Sequence, residues 1–165
     1  MQLYLMRHGV AVDAGPGTTD AVRILSEKGA RRTAEAARGL KALGCRPQRV
    51  LTSPLARAKQ TAEIALREIR SRGQLEIAEA LAPGVAVEES LRWVARLHCR
   101  SALLVGHMPG LSELASRLLS PASDAPLSLE IKKAGALLIS FAGKAAEGAG
   151  TLEWFLPPRV LKKLM

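Results

Sequence analysis

The chain alternates short apolar runs with longer stretches of helical period, and it does so from its first residues onward. Strands interleaved with helices in this way predict an α/β domain built on a largely parallel sheet. Residues 3–6 read as the first strand. Residues 13–20, broken at Gly15, Pro16 and Gly17, read as a loop. Residues 26–43 read as an amphipathic helix with Ala30, Ala34, Ala37 and Leu40 inward, and Gly44 as its stop. Residues 50–52 form the second strand, with Ser53 as N-cap and Pro54 in the first turn of a helix ending near Ile69. Residues 75–78 read as a further strand. Residues 87–97 predict a helix with Leu91, Val94 and Ala95 inward. Residues 102–105 predict a buried strand and residues 111–119 a helix. Residues 136–141 and 152–156 read as late antiparallel strands joined by a turn at 142–150.

Composition sets bounds on this reading. At 165 residues, 48% hydrophobic and 24% charged, the chain suits one domain, 1–165, with a real core. Aromatics are only 3%, so that core is aliphatic. No apolar run reaches the roughly 18–20 residues of a membrane span. The opening residues 1–6 are too short for a signal peptide and run into Arg7. Cys45 and Cys99 form no motif, which fits a reduced, cytoplasmic setting. The net charge of +9 favours anionic partners. Nucleic acid is not expected, because one Tyr and two Phe leave little for bases to stack on.

Two of the three histidines share one context. His8 follows the first strand and precedes Gly9. His107 follows the strand at 102–105 and precedes Pro109-Gly110. The carboxyl ends of parallel strands share one edge, where ligands bind. The second strand leads to Arg57, in the first turn of a helix whose N-terminus favours an anion. Arg7 adjoins His8. Each of these residues alone has an ordinary structural explanation. Together, Arg7, His8, Arg57 and His107 describe a cleft for a compact dianion, with no acidic residue evident among them, and a phosphoryl group fits best. His98, at a helix end, has no expected role. There is no G-x-S-x-G elbow, no Walker A loop and no H-E-x-x-H. Two histidines without nearby carboxylates make a poor metal site, and the cysteines have no evident base. A histidine nucleophile remains.

The triplet Arg7-His8-Gly9 resembles the signature of the histidine phosphatase superfamily, the phosphoglycerate mutase-like proteins. The resemblance continues in order along the chain. Leu25-Ser26-Glu27-Lys28-Gly29 resembles the family's L-T-x-x-G segment. Thr52 to Ala62, reading T-S-P-L-A-R-A-K-Q-T-A, resembles its S-S-P-x-x-R-A-x-Q-T-A segment. Val105-Gly106-His107-Met108-Pro109 resembles its V-G-H-x-P block. The length is similar to that of the small SixA-type phosphohistidine phosphatases, which lack lid insertions. Arg23-Ile24-Leu25-Ser26 resembles their R-P-L-T segment, with Ile24 for Pro. Lys132-Lys133-Ala134-Gly135-Ala136 resembles their K-K-G-A segment, with one extra Ala.

The resemblance implies a three-layer α/β/α sandwich with a mostly parallel central sheet. It implies that His8 attacks phosphorus while Arg7, Arg57 and His107 hold the phosphoryl oxygens. Gly9 is expected to let backbone approach the phosphoryl group, and Arg23 to reach the rim and touch substrate. No metal or cofactor is implied, and the chain is expected to act as a monomer. The sequence departs from the wider superfamily at Leu81-Ala82-Pro83-Gly84, where Pro83 stands in place of the Glu that protonates a leaving oxygen. Glu76, Glu79 and Asp13 are the substitutes in reach. An imidazole leaves more easily than an alkoxide, so the departure agrees with phosphohistidine as substrate. The expected partner is a phosphorylated protein, a phosphotransfer or phosphocarrier domain. The alternatives are a small-molecule phosphomonoesterase and, in another class, a non-catalytic module binding phosphate or nucleic acid.

Overall fold

The computed structural model describes residues 1–17, 19–121 and 125–165. The described strands are β1 (Gln2–Arg7), β2 (Arg49–Thr52), β3 (Gln74–Ile77), β4 (Ser101–Gly106), β5 (Ala136–Ser140) and β6 (Thr151–Leu156). The described helices are α1 (Glu27–Ala42), α2 (Ala56–Ile69), α3 (Val87–Ala95), α4 (Gly110–Leu119) and α5 (Pro158–Leu161). The strands form one sheet in the order β3-β2-β4-β1-β5-β6. The pairs β1·β4, β2·β4 and β2·β3 are parallel, while β5 runs antiparallel to both β1 and β6. The sheet is therefore mixed, with its parallel part where the sequence predicts it.

Strand alternation divides the interior into two aliphatic cores. Leu3, Leu5 and Leu104 face a layer made by Val94 of α3 and Leu111, Leu114 and Leu118 of α4. Tyr4, Met6 and Val105 face the other way, against Leu40 of α1, Ala58, Ala62 and Ala65 of α2, and Leu161 of α5. This is the expected α/β/α sandwich. Among the described residues, no helix is long and apolar enough to cross a membrane.

Several local expectations shift. The buried stripe of α1 runs through Gly29, Thr33, Ala36, Ala37 and Leu40, so Ala30 and Ala34 sit at its margin rather than on it. Ser26 caps α1, its hydroxyl accepting from the Gly29 amide at 3.0 Å. Gly44, at φ +80°, ends it: its N–H reaches the Lys41 carbonyl, and the Cys45 N–H reaches that of Leu40, both at 3.0 Å. Helix α3 stops at Ala95, which is exposed; Ser90 is buried instead, its hydroxyl donating to the Ala80 carbonyl at 2.7 Å. Helix α2 opens at Ala56, later than Ser53-Pro54 predicts, with Leu55 as its N-cap. The Ser53 hydroxyl oxygen accepts the amide of Leu55 at 3.3 Å, one residue ahead of the helix.

Strand order positions the site. The chain moves outward from β1 through β2 to β3, then returns through α3 to insert β4 between β2 and β1. Helices leave neighbouring strands toward opposite faces, which opens a crevice at their carboxyl ends. The ends stay in register: the His8 amide donates to the Gly106 carbonyl and the Ser53 amide to that of Val105, each at 3.0 Å.

Candidate active site

His8 and His107 meet at that edge, with ring centroids 4.9 Å apart and planes inclined by 49°. They are 7% and 6% exposed, and Arg57 beside them is 7% exposed. The strand ends thus bring together residues about a hundred positions apart.

The two rings are fixed in different ways. Nδ1 of His8 lies 2.7 Å from the Gly9 carbonyl. A carbonyl only accepts, so Nδ1 carries the proton and Nε2 keeps its lone pair. Burial, reinforced by Arg57, Arg7 and Lys133, lowers the ring's pKa to about 4, against the opposing effect of the Gly9 bond. Nε2 of His107 lies 2.8 Å from Oγ of Ser53. That oxygen already accepts the Leu55 amide at 3.3 Å, and its own proton has no other acceptor among the described residues. Ser53 therefore donates to His107, whose proton sits on Nδ1. This Nδ1 is buried and has no partner. Burial, then His8 and Arg57, lower the His107 pKa to about 3. Near neutral pH the site holds one imidazole with a free lone pair and one with a buried, unpartnered N–H.

Arg57 is the second residue of α2. Its Nη1 donates to the Asp20 carbonyl at 2.7 Å and its Nη2 to the Asp20 carboxylate at 2.8 Å. The cleft is therefore not free of acid: the 13–20 loop carries Asp20 back to it, a return that local pattern does not reveal. Arg23 pairs with the same carboxylate at 2.9 Å and donates through Nε to the Val12 carbonyl at 2.8 Å. The two guanidinium groups hold the Asp20 carboxyl below its ordinary range. Arg23 thus joins the site through Asp20. Arg7 donates through Nη1 to the Ile131 carbonyl at 2.9 Å, while its Nε is buried without a partner.

Gly9 also has a packing role inside the fold. Its amide donates to Thr61 Oγ1 at 3.0 Å, and the Thr61 hydroxyl donates to the Arg57 carbonyl at 2.7 Å. A Cβ at Gly9 would lie 2.4 Å from Thr33 Oγ1. The glycine lets β1 exit tightly against α1, and its amide is spent inside the fold. Thr61 ties the loop after β1 to α2. Ser53, Thr61, Asp20 and Lys133 are given no site role by the residues alone, although Ser53 and Thr61 stand inside the T-S-P-L-A-R-A-K-Q-T-A segment and Lys133 inside Lys132-Lys133-Ala134-Gly135-Ala136.

Two of the three substitutes for the missing acid are elsewhere. Glu76 on β3 is bound by Arg49 through two hydrogen bonds, of 2.8 and 2.6 Å. Glu79 lines a separate cleft with Arg92 and Arg96. Asp13 is exposed in its loop. Pro83 does line the cavity beside His107. Among the described residues, no group of three His, Cys, Asp or Glu side chains is arranged to hold a metal ion. Two guanidinium groups beside a free imidazole lone pair make a receptor for a tetrahedral oxyanion.

Comparison with known proteins agrees with this geometry. Residues 3–82 match the family described as "Histidine phosphatase superfamily (branch 1)". An uncharacterized protein of Picosynechococcus sp. is 39% identical over 139 residues, 82% of each chain. Phosphohistidine phosphatase SixA of Escherichia coli is 30% identical over 167 residues, covering 98% of this chain and 97% of that one. A solved structure of the protein histidine phosphatase SixA complexed with tungstate superposes with a TM-score of 0.82 at 28% identity, covering 98% and 99% of the two chains. The chain belongs to the histidine phosphatase superfamily, and it is a phosphatase.

Proposed function

We propose that this phosphatase removes the phosphoryl group from a phosphorylated histidine on a protein, passing it through Nε2 of His8. The observation that carries the reading is the bond from His8 Nδ1 to the Gly9 carbonyl, which leaves Nε2 unprotonated and aimed from a strand end. Nε2 attacks phosphorus in line; the bond from phosphorus to the substrate nitrogen breaks. Arg7, Arg57 and the Nδ1–H of His107 hold the equatorial oxygens, where transition-state charge resides. His8 becomes a cationic phosphoimidazole, its Nδ1–H still on Gly9. Water then attacks phosphorus, His8 leaves as neutral imidazole, and both water protons stay with the released phosphate.

Leaving-group chemistry favours a phosphorylated imidazole over an alkyl ester. An alkoxide needs a proton on the departing oxygen, and Pro83 stands where the superfamily resemblance expects the donor. The relatives named SixA are phosphohistidine phosphatases, which supports the same substrate class. A protein substrate suits a chain without lid insertions and with a charge of +9, which steers acidic surfaces toward it. The site needs no metal or cofactor for these steps, and we place the enzyme in the cytoplasm, acting as a monomer.

The test is phosphate release from a histidine-phosphorylated carrier protein beside a panel of phosphate esters, with wild type and His8→Ala. The expected result is His8-dependent loss from the carrier with poor ester turnover. Fast ester turnover with an untouched carrier would transfer the assignment to a small-molecule phosphatase.

A further inference from the structure

A cavity of about 360 Å³ opens beside His107, between the 80–86 segment and the start of α4. Its walls include Leu81, Pro83, Val85, Met108 and Leu114, and beside His107 its one ionisable side chain is Glu113. Glu113 sits in the first turn of α4. That turn is pinned to the catalytic loop: the Leu111 amide donates to the His107 carbonyl at 2.9 Å, the Glu113 amide to the Pro109 carbonyl at 3.0 Å, and Ser112 Oγ to the Leu129 carbonyl at 2.6 Å. The Glu113 carboxylate makes no hydrogen bond or ion pair with another described residue. It is an exposed, uncommitted acceptor at the rim of a recess that adjoins His107.

A phosphoimidazole has a particular requirement. The nitrogen that loses phosphorus receives the bonding electron pair and needs no proton. The remote ring nitrogen must carry one, so that the ring departs as neutral imidazole. The enzyme meets this requirement for its own phosphorylated His8, whose remote N–H rests on the Gly9 carbonyl at 2.7 Å. The substrate ring needs an equivalent acceptor on its far side, one ring-width from phosphorus. A general acid at the position of Pro83 would reach for the departing atom, which is the wrong atom for this leaving group.

Resting on the proposed phosphohistidine reading, we infer that the recess beside His107 receives the substrate's imidazole and that Glu113 accepts the hydrogen bond of its remote N–H. In the first step the His8 Nε2–P bond forms, the substrate N–P bond breaks, and the proton stays on the remote nitrogen throughout. The Glu113 carboxylate favours the cationic form of the ring from which departure is easy. The largely aliphatic walls suit an aromatic ring.

The experiment compares Glu113→Ala with wild type on phosphohistidine and on p-nitrophenyl phosphate, whose leaving group needs no proton. The readout is the ratio of kcat/KM on the two substrates. The ratio is expected to fall by about 10- to 100-fold, the worth of one hydrogen bond to a charged group. A merely structural role would lower both values together and leave the ratio unmoved, which would overturn the assignment. If wild type itself fails on phosphohistidine, the functional reading falls and takes this inference with it. If wild type turns over phosphohistidine and Glu113→Ala keeps the ratio, only the role of Glu113 falls.

Discussion

Asp20 grips the Arg57 guanidinium twice, through its backbone oxygen at 2.7 Å and its carboxylate at 2.8 Å. An acid on a loop thus stands against the cation expected to clamp phosphate. The carboxylate orients Arg57 and subtracts charge from the pocket. Asp20→Asn keeps an oxygen for Arg57 and removes the charge. Competitive inhibition by inorganic phosphate should then tighten by a few-fold to about tenfold, the scale of one unit charge acting near a dianion. Inhibition constants for wild type and variant check this. Weakened inhibition would mean that orientation of Arg57 outweighs charge.

Ser53 sets the tautomer of His107 by donating to its Nε2 at 2.8 Å. Ser53→Ala frees that nitrogen to take the proton, which removes the Nδ1–H, the proposed phosphoryl donor, from a share of the molecules. A loss of about tenfold in kcat is expected, smaller than the roughly 10²-fold for deleting an oxyanion donor outright. Ser53→Thr, which keeps the hydroxyl, should restore most of it. Steady-state kinetics on all three proteins decide the matter.

Gly9 packs where a Cβ would lie 2.4 Å from Thr33 Oγ1. Gly9→Ala should cost about 1–3 kcal/mol, the usual range for overpacking. In a Thr33→Ala background the cost should shrink, because the atom it meets is gone. Urea unfolding of the four proteins of the cycle measures the coupling. Equal costs in both backgrounds would contradict the packing role.

The buried rings make stability depend on pH. In the unfolded chain an imidazole takes a proton below about pH 6.5. In the folded chain His8 resists protonation to about 4 and His107 to about 3. Between these values and 6.5 the unfolded state binds more protons, so stability rises with pH and is lost as pH falls. From pH 8 to pH 5 each ring should remove about 2 kcal/mol. Urea unfolding of wild type and His8→Gln at both pH values should show the variant losing about 2 kcal/mol less.

Much of this was legible in the residues. The α/β alternation located the described strands, because apolar runs of four to six residues between amphipathic stretches have few other uses. His8, His107 and Arg57 were legible because each stands just past a strand, and parallel strands share an edge. Asp20 was not, since its partner lies 37 positions away and only the fold of the 13–20 loop joins them. The start of α2 differs because Ser53-Pro54 has the look of a cap, whereas Ser53 accepts the Leu55 amide ahead of the helix and also meets His107. The inward face of α1 is displaced because small residues fill the side opposite its charged face, and Gly29 and Thr33 take the centre of that side while Ala30 and Ala34 lie at its edge. Glu113 carried no local signal, since a Glu in a first helical turn is usually a surface residue complementing the dipole.

The central claim is a phosphoenzyme on one atom of one residue. Wild type mixed with a 32P-labelled phosphohistidine substrate, quenched in alkali within the first turnover and digested, should yield label on His8 at Nε2. His8→Ala should give no label and no turnover. Label on Nδ1, label on His107, or turnover surviving in His8→Ala would contradict the account.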